Sequence, residues 1–188
     1  MPELRALLRA HLKETADSIG QDIENLFDVP IRRVLLDGLD RVGAHEGTVW
    51  LLDEARESLV PKFNSGPRAA DFVGQFRQSL RSGMISMVVA TEQPICENDV
   101  HRNRQQDRSL DSALALRTCA MLAVPFYFAG ELRGVISAVQ LKAAESTEPD
   151  PAGFAMDHLA HLQRTAALLS RLVEHRIFTH LIGVEFRG

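Results

Sequence analysis

The sequence is poor in cysteine and in two of the three aromatic residue types. Its 188 residues include 2 Cys, 1 Trp and 1 Tyr. Two thiols are too few for the disulfide framework of a small secreted domain, so Cys96 and Cys119 are expected to be reduced. The chain also lacks an apolar run of the ~20 residues that a membrane span needs, and its first residues do not resemble a secretory signal. We therefore expect a cytoplasmic protein with no membrane partner.

A strong charge of either sign is missing as well. The 21 Lys and Arg and the 25 Asp and Glu leave a formal charge of -4 at pH 7. This balance offers no electrostatic attraction to a nucleic-acid backbone, so we predict no nucleic-acid partner. An apolar share of 45% at this length is typical of a globular protein that folds around its own core.

Motifs of common enzyme classes are absent from the sequence. There is no Gly-x-Ser-x-Gly, no phosphate-binding Gly loop followed by Lys and Ser or Thr, and no His-Glu-x-x-His. The His residues are scattered, and the pair at one-turn spacing, His158 and His161, has no further ligands at suitable spacing. The sequence therefore predicts no catalytic residue, no metal site and no cofactor.

Helical periodicity dominates both ends of the chain. Apolar residues at helical spacing predict an amphipathic helix over residues 1–29 and another over residues 153–182. A further helix is expected after Asp28, a good N-cap followed by Pro30 in the first turn. The apolar stripe of residues 1–29 would cover either its own domain or a partner subunit, and both alternatives remain open.

Strand patterns fill the middle of the chain. Residues 47–53 and 58–64 predict one hairpin, and residues 119–128 and 132–142 predict a second. A short helix after Gly83 and a short strand at Ile95 lie between them. Because hairpins join antiparallel neighbours, we predict an α+β fold with a central antiparallel β-sheet and the terminal helices packed on one face.

Four strings follow one another in a recognisable order. They are Gly47-Thr-Val-Trp-Leu-Leu-Asp53, Gly83-Met-Ile-Ser-Met-Val-Val-Ala-Thr-Glu-Gln-Pro-Ile95, Asn98-Asp-Val100 and Arg117-Thr-Cys-Ala-Met-Leu-Ala-Val-Pro125. Together they resemble the GAF domain, a small-molecule-binding sensor module related in shape to the PAS domain. The resemblance implies a GAF core over residues 30–152, flanked by a helix over residues 1–29 and another over residues 153–188. It departs from the family at Ser86 and Glu92, where glycine is common.

The resemblance also implies a function. It indicates a non-catalytic sensory or regulatory protein of signal transduction, which binds a small molecule or a signalling partner and forms a homodimer through its terminal helices. Asp99 and Thr118 would supply hydrogen bonds to a ligand, and the other lining residues would supply apolar walls. The position-matched lining residues are Phe63, Met84, Val88, Cys96, Asp99, Thr118 and Met121. A solid core without any ligand is the alternative, because many GAF domains act only as dimerisation modules.

Two alternatives concern nucleotides. Lys142, Phe154 and Asp157 match part of a motif found in GAF domains that bind cyclic nucleotides, and a Lys142–Asp157 pair would be a structural tie. Leu141 and His158 depart from that motif. The polar loop holds two Arg-x-x-Asp strings, similar to ones that bind cyclic di-GMP, so its candidate anion or nucleotide contacts are Arg104, Asp107, Arg108 and Asp111. A solvated charged loop is the plainer interpretation of these strings.

A third alternative is a redox enzyme. Cys96 followed by Asp99-Val-His101 resembles the GAF branch of free methionine sulfoxide reductases, although other cysteines of that branch are missing. Thiol chemistry needs a nucleophile and usually a resolving thiol. A buried structural role is therefore the favoured interpretation of Cys96 and Cys119.

Overall fold

A computed structural model of the chain describes residues 27–181. The elements are α1 (Val29–Arg41), β1 (Glu46–Leu52), β2 (Ser58–Asn64), β3 (Gln78–Ser79), α2 (Met84–Thr91), β4 (Ile95–Glu97), α3 (Ser109–Leu114), β5 (Leu116–Phe128), β6 (Glu131–Ala143) and α4 (Met156–Leu181). The helix predicted over residues 1–29 lies outside the described residues except for its last three. The end of the last helix, predicted near residue 183, also lies outside them.

Six strands of the described chain form one antiparallel sheet in the order β3-β2-β1-β6-β5-β4. The two hairpins predicted from the sequence are the pairs β1–β2 and β5–β6. They join at the centre of the sheet, where β1 pairs with β6 from Glu46 opposite Val139 to Leu51 opposite Gly134. The predicted α+β fold with a central antiparallel sheet is confirmed.

Helices α1 and α4 cover one face of this sheet. Asp28 caps α1 as predicted, since its Oδ1 accepts from the Ile31 amide at 3.1 Å. The two helices run antiparallel, because Gly38 of α1 lies against Thr165 and Asp28 forms an ion pair with Arg176 near the far end of α4. Their inner faces bury a continuous apolar core with the sheet, including Ile31, Leu35, Leu39, Leu162, Leu169, Val173 and Ile177.

The start of α4 is fixed to the segment after β4. Asn98 Oδ1 accepts from the Phe154 amide at 2.7 Å, and Asn98 Nδ2 donates to the Phe154 carbonyl at 2.9 Å. Both backbone groups of Phe154 are thereby bound by the one side chain of Asn98.

Within residues 27–181, no helix combines the length and the apolar character that a membrane span requires.

The opposite face of the sheet carries α2, α3 and the polar loop, residues 98–111. Ser86 and Glu92, the two departures from glycine, have specific roles here. Ser86 Oγ donates to the Ser79 carbonyl at 2.8 Å and ties α2 to β3. Glu92 ends α2 in the left-handed region at φ 55°, and its carboxylate accepts from the Tyr127 hydroxyl at 2.7 Å. A glycine-like backbone is therefore kept at position 92 without a glycine.

A close approach of two strands lies at Gly134 of β6. A Cβ there would fall on the Trp50 carbonyl oxygen and lie 2.9 Å from Leu51 Cα. We expect Gly134→Ala to lower the free energy of unfolding by about 2 to 3 kcal/mol, because two strands would have to separate. Gly130→Ala in the adjoining turn, at φ 76° with no atom near, should cost about 1 kcal/mol. Urea unfolding measures both, and equal losses would contradict the close approach.

Candidate functional site

A pocket opens on the sheet face that α1 and α4 leave uncovered. Its floor comes from β1, β5 and β6, and its walls come from α2, α3 and the polar loop. Its cavity volume is about 90 Å³, and the adjoining space that opens to solvent brings the total to about 740 Å³. The apolar part of the lining consists of Trp50, Phe72, Met84, Ile85, Leu110, Leu114, Leu116, Met121, Val139 and Leu141.

Alternation along β1 places a row of side chains on the pocket floor. Glu46, Thr48 and Trp50 stand two residues apart and all line the pocket, as residues of one strand face do. The buried indole of Trp50 is fixed by its Nε1, which donates to Ser137 Oγ at 3.0 Å. Asn64 of β2 donates to Thr48 Oγ1 at 2.9 Å. The floor is therefore an ordered polar and aromatic surface.

A β-bulge in β5 turns Thr118 toward the pocket. The pairing with β6 moves from Thr118 opposite Leu141 to Ala120 opposite Gln140, so Cys119 is the extra residue. Thr118 consequently shares the pocket face with Met121. Its hydroxyl donates to Asp111 Oδ1 at 2.7 Å, and its amide donates to Asp111 Oδ2 at 2.9 Å. Asp111 thus holds α3 against the start of β5.

Asp107 anchors the polar loop over the pocket. Its Oδ2 accepts from Gln78 Nε2 at 3.2 Å and from Ser82 Oγ at 3.1 Å. Its Oδ1 accepts from the amide of Ser109 at 3.0 Å and from the Ser109 hydroxyl. These donors, first the Ser109 hydroxyl, lower the pKa of Asp107 to about 2. The carboxylate joins the loop to β3 and to the turn before α2.

The pocket includes three of the seven lining residues predicted from the resemblance, Met84, Thr118 and Met121. The other four lie elsewhere. Phe63 stacks on Phe27 in the core under α1 and α4, with ring centroids 6.4 Å apart. Val88 belongs to α2, and its side chain is fully buried against the sheet. Cys96 packs on the α4 side, and the exposed Asp99 lies 3.6 Å from Arg102.

The two Arg-x-x-Asp strings are split by the fold. Asp107 and Asp111 line the pocket, whereas Arg104 and Arg108 are exposed and do not. Arg108 Nη2 donates to the His101 carbonyl at 2.6 Å within the loop itself. The strings therefore contribute carboxylates to the pocket and no guanidinium group.

Lys142 and Asp157, which were expected to pair, have other partners in the structure. Lys142 Nζ forms an ion pair with Asp150 and donates to the Glu148 carbonyl at 2.7 Å. Asp157 Oδ1 instead accepts from the amide of His158 at 2.9 Å, at the start of α4. The loop after β6 brings Asp150 to Lys142, so this carboxylate forms the pair.

Neither cysteine faces the pocket. Cys96 Sγ lies 3.6 Å from the Phe154 carbonyl, and Cys119 Sγ lies 3.8 Å from Asp150. Burial raises the pKa of both thiols, and so do the nearby carboxylates Glu97 and Asp150. Cys96 pairs with Leu122, three residues from Cys119, so the two Cα atoms are ~10 Å apart and too distant for a disulfide. No three His, Cys, Asp or Glu side chains of residues 27–181 converge as a metal site.

Several lining residues escaped prediction. The polar residues Glu46, Asn64, Gln78, Gln106 and Ser137 all line the pocket. The alternation Glu46, Thr48, Trp50 in β1 was an available signal, because polar residues on one strand face beside a tryptophan are unusual for a solid core. Gln78 and Gln106 gave no such signal, since both lie in segments without a regular pattern.

We expect Asp107→Asn to lower the free energy of unfolding by about 1 to 2 kcal/mol at pH 7, because the folded state holds this carboxylate ionised. The folded-state pKa of about 2 lies below the ordinary 3.8. The stabilisation is therefore complete above the unfolded-state value and is lost as the pH falls toward 2. Chemical unfolding from pH 7 to pH 3 should show the difference from wild type shrinking. Glu145→Gln, in an exposed loop, is the control, and a constant difference would contradict the assignment.

A family model described as the GAF domain matches residues 31–174. The GAF domain of a phosphoenolpyruvate-protein phosphotransferase from Coxiella burnetii is similar at TM-score 0.61 and 17% identity, covering 94% of this chain and 99% of that one. The second GAF domain of DevS from Mycobacterium smegmatis gives 0.60 and 17%, covering 81% and 96%.

An enzyme is also among the similar structures. The type II free methionine-R-sulfoxide reductase from Thermoplasma acidophilum gives a TM-score of 0.53 and 20% identity, covering 87% of this chain and 96% of that one. These identities show a shared fold only. No curated protein matches the chain. The family model covers most of the sequence, and the curled antiparallel sheet with its flanking helices agrees with it, so the chain belongs to the GAF domain family.

Proposed function

We propose that this protein is a non-catalytic sensory or regulatory GAF domain of signal transduction, which binds a small molecule over Trp50. One observation carries the proposal: the sheet face opposite α1 and α4 holds an open, ordered pocket instead of a filled core. GAF domains of similar fold belong to a two-component sensor histidine kinase from Bacillus halodurans and to the phosphotransferase from Coxiella burnetii, which is consistent with regulation.

The positions of the thiols argue against the reductase alternative. A reductase of this kind would need a thiolate that reaches a substrate in the pocket. Cys96 lies outside the pocket beside the Phe154 carbonyl, and Cys119 lies outside it beside Asp150. The pKa values of both thiols are raised instead of lowered. The likeness to the reductase from Thermoplasma acidophilum is then a likeness of fold.

The cyclic-nucleotide alternatives lose support for a different reason. A bound phosphate needs cationic groups or free backbone amides aimed at it. Arg104 and Arg108 are exposed, and Lys142 is engaged by Asp150. The sequence strings that suggested a nucleotide thus offer it no cation in the pocket.

Filling the pocket should remove a bound ligand. Val139 lines the floor, so Val139→Phe would occupy space that a ligand needs. We expect native mass spectrometry of freshly purified wild type to show a small-molecule adduct that Val139→Phe lacks. Val29→Phe makes the same change at an 80% exposed site and should keep the adduct. A bare wild-type chain, or an adduct that survives in Val139→Phe, would contradict binding at this pocket.

We further propose a homodimer through the outer face of α1 and α4. Leu36, Leu168 and Phe178 are 41%, 47% and 43% exposed on these helices. The Gly38–Thr165 and Asp28–Arg176 contacts set the antiparallel pair so that Leu36 and Leu168 lie at about the same level.

Charge placed on this face should separate the subunits. We expect light scattering with size-exclusion chromatography to give a dimer at micromolar concentration for wild type and a monomer for Leu168→Glu. Ala90→Glu, at an exposed site on α2, is the matched control and should stay dimeric. A monomeric wild type would contradict the dimer. A dimer retained by both Leu168→Glu and Phe178→Glu would contradict this interface.

A further inference from the structure

The charged side chains that line the pocket are all acidic. Glu46, Asp107 and Asp111 line it, and no Lys, Arg or His of the described chain does. None of the three carboxylates has a cation within 4.0 Å among residues 27–181. Arg68, which donates to the carbonyl of Leu114 on the pocket wall, is already paired with Asp71. Within residues 27–181, hydrogen-bond donors stabilise this negative charge, but no cation within 4.0 Å balances it.

The side-chain N–H donors around the pocket are engaged within the protein. Trp50 Nε1 donates to Ser137, and Asn64 Nδ2 donates to Thr48. Gln78 Nε2 donates to the Ser82 carbonyl at 2.9 Å and to Asp107 at 3.2 Å. Gln106 Nε2 donates to Asp111 Oδ2 at 2.8 Å. A ligand rich in acceptors, such as a phosphate or a carboxylate, would find few donors left for it.

Acceptors, by contrast, are left over. Gln106 Oε1 is buried and has no hydrogen-bond partner in the described chain, although its amide nitrogen is bound to Asp111. Glu46 accepts one long bond, at 3.3 Å from Asn64 Nδ2, on a carboxylate that offers several lone pairs. A buried acceptor without a donor is unfavourable, so a ligand that donates here recovers a hydrogen bond that the free protein lacks.

We propose that the pocket takes a small organic cation, a protonated amine on an apolar or aromatic body, with its N–H groups toward the Glu46 and Gln106 oxygens. The inference rests on the proposed function, that the pocket binds a ligand at all. The apolar body would lie among the walls that Met84, Leu110 and Met121 provide. An anion of the same shape would face carboxylates without a counter-charge in a partly desolvated space.

Trp50 gives a direct readout of this choice, because it is the single tryptophan of the chain and lies in the pocket. The probes are 2-phenylethylamine and 3-phenylpropionate, which share a ring and nearly the same length but carry opposite charges. Titration of the full chain at neutral pH, with selective excitation of tryptophan, should give a saturable change with the amine. We expect its Kd to be at least about tenfold below that of the acid.

Glu46→Gln tests the charge within the same fold. The amide keeps the size of the side chain and its ability to accept from Asn64, while the negative charge is removed. We expect the variant to bind the amine about tenfold more weakly and to narrow the difference between amine and acid. Glu145→Gln, which removes one charge from an exposed loop, should bind both probes as wild type does. Circular dichroism checks that both variants fold.

The outcomes separate this inference from the function on which it rests. Acid binding as tight as amine binding, or tighter, would overturn the ligand class while leaving a ligand pocket in place. No saturable response to the amine at millimolar concentration would also overturn it, and an adduct in native mass spectrometry would then still support the proposed function. Amine binding that Glu46→Gln leaves unchanged would overturn the role of the carboxylate.

Discussion

The pairing of β1 with β6 is the contact on which the other features depend. It joins two hairpins that are far apart in sequence. Its register directs alternate residues of β1 to opposite faces of the sheet, one toward the core and the other toward the pocket. Val49 and Leu51 enter the core under the helices, while Thr48 and Trp50 enter the pocket floor. A slip by one residue would exchange the two sets. The close approach at Gly134 leaves space for only this arrangement, so core and pocket are specified together.

Local pattern was enough to predict α1, α2 and α4, the two hairpins and the antiparallel sheet, because each depends on residues near one another in sequence. The pocket was less predictable. Irregular pairing between β1 and β2 near Trp50, and the bulge at Cys119, decide which side chains face it, and neither leaves a clear sequence signal. Resemblance alone placed Phe63 and Cys96 in the lining, although both pack under the helices. The position of the Asp107 side chain at the pocket depends on its hydrogen bond from Gln78, which lies 29 residues away in sequence.

The strand β5 belongs to both halves of the molecule. Thr118 and Met121 contact the pocket, whereas Ala120, Leu122 and Val124 belong to the core that α4 covers. A ligand that shifts β5 would therefore alter the surface on which α4 packs, without any separate connecting element. Since the proposed dimer face lies on the outside of α4, ligand binding and dimer formation would be coupled through β5 and α4. The carboxylate of Asp111 accepts from the amide and the hydroxyl of Thr118, so it joins the pocket wall to the start of this strand.

The double hydrogen bond between Asn98 and Phe154 gives α4 a fixed end. The helix continues for 26 residues, about 39 Å, beyond that point. Its far end is held as well, because Arg176 forms an ion pair with Asp28 and Ile177 is fully buried in the core. A rod fixed at both ends cannot tilt against the sheet by itself. A displacement of the sheet near Asn98 would therefore move α1 and α4 together as one layer.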